Sequence, residues 1–146
     1  MRLMSPNSMK EAIASITKSL NFNETYMAGF LGVTVKTIDD WKKREMGDLP
    51  PKARRLVRLY EVIHYLQDRH KEIPESSYKN LIENGRITID PSDPEDGSTT
   101  LISFILAEPA AKIWAPCVDE VVNEFQKSNQ KKAEKLRGDN PSVRYA

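Results

Sequence analysis

The chain has 146 residues, of which 39% are apolar and 29% are charged, and its formal net charge is +1. This length suits one compact domain, or a small domain with an appendage, and excludes two large domains. The longest apolar runs, such as residues 101–107, are much shorter than the roughly 20 residues needed to cross a bilayer. Residues 1–7 lack the apolar core of a secretory signal, and the single cysteine, Cys117, suits a reducing compartment. We therefore expect a cytoplasmic protein without a membrane partner.

The net charge conceals a strong segregation of charge along the sequence. Residues 36–60 contain eight basic and four acidic side chains, residues 61–126 contain five and thirteen, and residues 127–146 contain six and two. The net charges of these blocks are +4, −8 and +4. A basic block followed by an acidic one predicts a local surface that binds a polyanion, beside a region that faces a different kind of partner.

Three short helices are predicted within the first 44 residues. Ser8 is suited to cap the first, with Glu11 completing a capping box. Asn23 is suited to cap the second, which stops at Gly32, and Thr34 to cap the third, which runs to about residue 44. The apolar residues that recur at helical spacing are Met9, Ile13, Ile16, Leu20, Met27, Ala28, Phe30, Leu31, Ile38 and Trp41.

A longer amphipathic helix follows the pair Pro50 and Pro51, because proline suits the first turn of a helix. Its apolar stripe reaches to about residue 69 and is followed by a hinge at 71–74. Ser76 or Ser77 is suited to cap a short helix that closes at Asn84 and Gly85. That Asn-Gly pair is also a favoured hairpin turn, but we favour a helix end followed by a short extended segment at 86–89.

The last third of the sequence is predicted to contain an exposed loop and two helices. Residues 90–97 hold two prolines, four acids and a glycine, which is typical of a loop. Ser98 is suited to cap a helix that ends before Pro109, and a final helix frays from Lys127 onward into a basic tail. The apolar residues of that final helix are Ile113, Trp114, Val118, Val121, Val122 and Phe125. The last four of them are either core or the stripe of a dimer interface, with core favoured.

The run Asn-Glu-Thr-Tyr-Met-Ala-Gly-Phe-Leu-Gly-Val-Thr-Val-Lys-Thr-Ile-Asp-Asp-Trp, residues 23–41, resembles the helix-turn-helix of the lambda-repressor-like, or Xre, family. Ala28 stands where two helices approach closely, and Gly32 permits a tight turn between them. Val33, Ile38 and Trp41 are suited to fill the wedge between the helices. The resemblance covers roughly residues 8–70. It implies a lambda-repressor-like helix-turn-helix bundle, whereas the remaining half of the chain resembles no family. Together with the helices predicted from the sequence pattern, this gives an expected all-α fold in which the bundle precedes a small, mostly helical C-terminal region.

In this family the recognition helix lies in the major groove, with its N-terminal residues toward the base edges. The resemblance therefore implies that Val35 contacts a thymine methyl, Lys36 donates to guanine and Asp40 accepts from cytosine N4. It also implies a set of phosphate-contacting residues, namely Thr34, Thr37, Lys42, Lys43 and Arg44.

Two features depart from the family pattern. Glu24 stands where the family often has a phosphate-contacting glutamine, and Asp39 and Asp40 place two carboxylates on the recognition helix. Both features repel phosphate, so we expect the module alone to bind DNA modestly. Dimerisation or the basic tail would compensate, because each neutralised phosphate adds counterion release.

Other polar residues have competing interpretations. One basic set is either a phosphate-contact surface or a solvated helix face: Lys52, Arg54, Arg55 and Arg58. The tail lysines, Lys127, Lys131, Lys132 and Lys135, are more typical of a soluble end than of a DNA contact. His64 and His70 are six residues apart and do not share a helix face, so we assign no metal or other cofactor. Cys117 has no local base and is interpreted as a small core residue.

The sequence thus predicts three regions: a helix-turn-helix DNA-binding domain at 8–70, an acidic helical oligomerisation or partner-binding region at 71–126, and a basic, flexible tail at 127–146. We expect a transcriptional regulator that binds double-stranded DNA as a homodimer, and no enzyme, because no reacting constellation is present. Two alternatives remain open. One is an antitoxin whose acidic half covers a cognate protein partner while it represses its own operon. The other is an interaction adaptor that has lost DNA binding.

Overall fold

A computed structural model describes residues 6–89, Ser92 and residues 97–139, with side chains up to residue 131. The described chain is mostly helical, which confirms the predicted all-α class. Its helices are α1 (Met9–Leu20), α2 (Glu24–Leu31), α3 (Val35–Lys42), α4 (Pro51–Arg69), α5 (Tyr78–Asn84), α6 (Leu101–Leu106) and α7 (Ala111–Asp139). Two three-residue strands, β1 (Arg86–Thr88) and β2 (Ser98–Thr100), separate α5 from α6.

Local capping chemistry sets the starts of the first three helices. Ser8, Asn23 and Thr34 each accept a hydrogen bond from a backbone N–H in the first turn of their helix. The capping box at α1 differs from the prediction, because the Glu11 carboxylate accepts from the backbone N–H of Asn7, at 2.8 Å, instead of that of Ser8. Proline at the first position begins α4, as predicted.

Two predicted caps in the C-terminal half are wrong. A 3-10 turn, Glu75–Ser77, runs directly into α5, so the Ser77 side chain makes no capping hydrogen bond. Ser98 lies in β2, and the residue that caps α6 is Thr100, whose hydroxyl accepts from the backbone N–H of Ser103 at 3.3 Å. In both cases the serine belongs to the preceding element, the 3-10 turn for Ser77 and β2 for Ser98, and is therefore not placed to cap the helix.

The predicted extended segment has a partner strand that the sequence did not indicate. β1 and β2 pair antiparallel, with Arg86 opposite Thr100 and Thr88 opposite Ser98. Asn84 ends α5 and Gly85 continues in an extended conformation, so the Asn-Gly pair is the predicted helix end and not a hairpin turn. The loop predicted at 90–97 lies mostly outside the described residues.

Helix α7 is longer than predicted. The sequence indicates fraying from Lys127, whereas the helix continues to Asp139. The first 15 residues of α7 supply the core residues Trp114, Val118, Val121 and Val122, all of them buried. These valines are therefore core residues within one chain, and Phe125 is half-buried against them. The end of the predicted tail, residues 140–146, lies outside the described part.

A single hydrophobic core joins the two halves of the chain. Buried residues of α1 to α4 and of α5 to α7 belong to one contiguous cluster. At one junction the Tyr65 hydroxyl of α4 donates to Asp119 of α7 at 2.8 Å, and His70 Nε2 lies 2.6 Å from the same carboxylate. The boundary predicted near residue 70 therefore separates elements of the chain without dividing its core. No helix in the described part is both long and apolar enough to cross a membrane.

Candidate nucleic-acid interface

The turn between α2 and α3 has a defined backbone geometry. Gly32 has a φ of 71°, in the left-handed region that favours glycine, and its N–H bonds back to the end of α2. The Val33 N–H donates to the carbonyl of Ala28 at 2.9 Å. The Lys52 ammonium group donates to the Gly32 carbonyl at 3.3 Å. These contacts fix the direction in which α3 leaves α2.

One face of α3 is buried against the rest of the helical bundle. Ile38 is fully buried and Trp41 is 3% exposed, and both belong to the hydrophobic core. Ala28 of α2 is also buried, as expected for a position of close helix approach. Burial of one face leaves the opposite face of α3 to the solvent.

The solvent face of α3 carries the three residues predicted to read bases. Val35, Lys36 and Asp40 are all exposed, and Val35 is one of the few large apolar side chains of the described chain with such exposure. Neither Lys36 nor Asp40 forms an ion pair with any residue that the structure describes. An apolar group, a hydrogen-bond donor and an acceptor thus stand free on one helix.

Thr34 and Thr37 lie at the start of the same helix. The Thr34 hydroxyl accepts from the Thr37 N–H at 3.1 Å, and the two hydroxyls are 3.0 Å apart. Thr34 is exposed and Thr37 is half-buried. Their positions suit the predicted contact with a phosphate, although each hydroxyl already has a partner within the chain.

Lys42, which the sequence predicts to contact a phosphate, is paired with acidic residues of the chain. Its ammonium group pairs with the carboxylate of Glu24 and lies 3.4 Å from that of Asp39. The hydrogen bond to Glu24 is the main reason why the pKa of Lys42 is raised. Lys42 is therefore engaged within the chain instead of free for phosphate. The same pairing offsets one of the two negative charges of Glu24 and Asp39, and leaves Asp40 without an ion pair among the described residues.

The remaining basic residues of the predicted phosphate set lie at the end of α3. Lys43 is exposed and has no ion pair within the described residues. Arg44 reaches Asp48, with 3.6 Å between Nη1 and Oδ2, but both side chains are largely exposed. Such an exposed pair is weak and exchanges readily for a phosphate.

Three of the four residues in the basic set at the start of α4, residues 52–58, make contacts within the chain. Lys52 bonds to Gly32, Arg54 lies 3.7 Å from Glu108, and Arg58 pairs with Glu61 at 2.9 Å. Arg55 is half-buried, and its Nε has no hydrogen-bond partner. This favours a structural role for the set over a phosphate-contact surface.

Two lysines that the sequence did not single out lie beside the candidate interface. Lys10 and Lys18 of α1 line an open groove of about 460 Å³ together with Glu24 and Lys42. Both lysines are exposed. Only their spacing of eight residues, which places them on one helix face, was available as a signal. They add positive charge next to the start of α2.

The histidines and the cysteine have structural surroundings. The ring of His64 packs against that of Tyr60, with 4.2 Å between centroids and 46° between the ring planes. Cys117 is half-buried, and burial raises the pKa of its thiol. Within the described ranges, no group of three His, Cys, Asp or Glu residues is arranged to hold a metal ion.

Comparison with known proteins adds no assignment. No family model matches the chain, and neither a curated protein nor a solved structure shows significant similarity to it.

Proposed function

We propose that this chain is a sequence-specific transcriptional regulator of the lambda-repressor-like type, which binds double-stranded DNA as a homodimer. The α3 helix would lie in the major groove with its N-terminal end toward the bases. The observation that carries the proposal is the free, exposed set of Val35, Lys36 and Asp40 on a helix whose opposite face is buried.

The rigidity of α3 supports base reading. A side chain discriminates between bases only if its backbone is held in place, because the hydrogen bonds to base edges are directional. Thr34 caps α3, Ile38 and Trp41 anchor it, and the left-handed Gly32 sets its direction.

The charge around α3 also favours DNA. Lys43 and Arg44 at its end, and Lys10 and Lys18 on α1, provide positive charge at two sides of the helix. The engagement of Lys42 with Glu24 and Asp39 lowers the repulsion that these carboxylates would exert on phosphates. This argues against an adaptor that has lost DNA binding through its acidic residues.

The homodimer follows from the usual way in which such modules read DNA. A single α3 contacts few base pairs, and two copies related by a two-fold axis read a palindromic site. The dimer contact would use a surface other than Val118, Val121 and Val122, which are buried within the chain.

Selection of bound duplexes from a random DNA pool, with the molecular mass in solution measured on the same preparation, tests the proposal. We expect a recovered motif with two half-sites related by two-fold symmetry, and a dimer mass. Asp40→Asn is the matched variant, because asparagine prefers adenine where aspartate accepts from cytosine. The variant should change one position of each half-site. Absence of any enriched motif with the natural sequence would refute the proposal.

A further inference from the structure

The second half of α7 continues past the last residues of this helix that pack against the described core. Gln126 makes the last described contact with another element, a hydrogen bond of 3.2 Å from its side-chain amide to Glu72. Phe125 is the last residue packed against the core, and residues 126–131 are all exposed. The backbone nevertheless remains helical to Asp139. We call residues 127–139 the projecting helix. Its described side chains, those of residues 127–131, form no hydrogen bond or ion pair with a described residue outside α7, although Ser128 lines a pocket beside α5.

The composition of the projecting helix excludes an apolar partner. Its apolar residues are Ala133 and Leu136, so it has no stripe to bury in a groove or against a second copy. A coiled coil would need apolar residues that repeat every three to four positions. Residues 127–139 instead hold five basic and two acidic side chains, a net charge of +3.

The two lysines of the projecting helix whose side chains are described, Lys127 and Lys131, form no strong ion pair with the described residues. Lys127 lies 3.6 Å from Glu124, but both side chains are about 70% exposed, so the pair is weak. Lys131 has no ion pair within the described part. The spacing of four between residues 127, 131 and 135 places these positions on one helix face, over a length of about 12 Å.

The projecting helix follows the acidic part of the chain in the sequence and has the opposite charge. Residues 61–126 carry a net charge of −8, which repels a polyanion. The projecting helix begins in the sequence where this acidic block ends, and the lysines with described side chains, Lys127 and Lys131, are exposed. A polyanion is therefore the partner whose charge fits this segment.

We propose that the projecting helix binds the phosphate backbone of duplex DNA as a second contact, independent of sequence, in addition to α3. This inference rests on the proposed function. In this arrangement α3 supplies base discrimination, while the projecting helix supplies affinity through counterion release.

The test replaces Lys127, Lys131, Lys132 and Lys135 by glutamine in the full chain. The matched control replaces the same four lysines by arginine, which keeps the charge and the helix propensity. Affinity is measured against salt concentration for a selected duplex and for a shuffled duplex of the same length. Circular dichroism verifies that helix content is unchanged.

We expect the glutamine variant to bind both duplexes about tenfold or more weakly, with an unchanged ratio between them. The slope of log affinity against log salt should fall by about 0.9 for each lost phosphate contact. The arginine variant should behave like the natural sequence. An unchanged slope, while the natural sequence still prefers the selected duplex, would overturn this inference alone. A loss of dimer mass in the glutamine variant would also overturn it. If the natural sequence binds neither duplex at low salt, the proposed function itself fails.

Discussion

The ammonium group of Lys42 pairs with the carboxylate of Glu24, and this contact joins the end of α3 to the start of α2. Asp39, one turn before Lys42, shares the same ammonium group at 3.4 Å. The pair affects the charge of the candidate interface in two ways. It removes one cation from the set available to phosphate, and it offsets part of the negative charge of two carboxylates that would face DNA.

A double-mutant cycle on this pair is the first prediction. Lys42→Met should weaken DNA binding because it leaves Glu24 and Asp39 uncompensated, and Glu24→Gln in the same chain should restore part of the loss. The free energy of unfolding should show a coupling of about 0.2–1 kcal/mol, typical of exposed pairs. If Lys42→Met and the double variant lose equal affinity, Lys42 contacts phosphate directly and the charge-offsetting role is wrong.

Two glycines of the α2–α3 unit should respond in opposite ways to alanine. Gly32 has a φ of 71°, so Gly32→Ala forces a left-handed alanine and should cost about 1–2 kcal/mol of unfolding free energy. Gly29 lies within α2, and a Cβ added there meets nothing within 4 Å. Gly29→Ala should therefore stabilise by about 0.5–1 kcal/mol through helix propensity. Chemical denaturation measures both, and equal effects would contradict the turn geometry.

The shared core predicts that both halves of the chain unfold together. Trp41 in α3 and Trp114 in α7 are both buried and report on separate halves. In Trp114→Phe the fluorescence of Trp41, and in Trp41→Phe that of Trp114, should follow the same transition as far-ultraviolet circular dichroism. Two separate transitions within one variant would show that residues 8–70 fold as an independent domain.

Acid should destabilise the protein through His64. Burial lowers the pKa of this imidazole, and the Glu11 carboxylate opposes the shift in part. The folded state then holds the proton less tightly than the unfolded chain, whose histidine titrates near pH 6.5. The stability contributed by the neutral ring is complete above about pH 6.5 and is lost as the pH falls through the lower folded-state pKa.

His64→Gln isolates this contribution, because glutamine does not titrate. The natural sequence should be more stable than the variant at pH 7.5, owing to the contact between the rings of His64 and Tyr60. The difference in unfolding free energy should shrink between pH 6.5 and 5. A difference that stays constant or grows over this range would show that the folded state does not disfavour the protonated ring.

The sequence predicted the fold best where the determining contacts are local. The caps at Ser8, Asn23 and Thr34 and the left-handed Gly32 depend on bonds over three or four residues, which a sequence shows directly. Ser98 was misassigned because its place in β2 depends on a pairing with Thr88, ten residues earlier. Such a pairing has no local signal.

The candidate site likewise has features that the sequence predicts and features that it does not. The exposure of Val35, Lys36 and Asp40 follows from helical spacing relative to Ile38 and Trp41, so the sequence was sufficient. The engagement of Lys42 was not predictable, because Glu24 lies eighteen residues away and meets Lys42 only after α2 and α3 have packed. The charge that a helix offers to a partner depends on such tertiary pairs.

Competition between a selected and a shuffled duplex, measured for the natural sequence, Lys36→Ala and Lys112→Ala, tests the central claim most directly. Lys36 lies free on the reading face of α3, whereas Lys112 is an exposed lysine at the start of α7. If α3 reads bases, Lys36→Ala should reduce the preference for the selected duplex by about 1–3 kcal/mol, and Lys112→Ala should leave it unchanged. An unchanged preference in Lys36→Ala, together with unimpaired affinity, would contradict the assignment of α3 as the recognition helix.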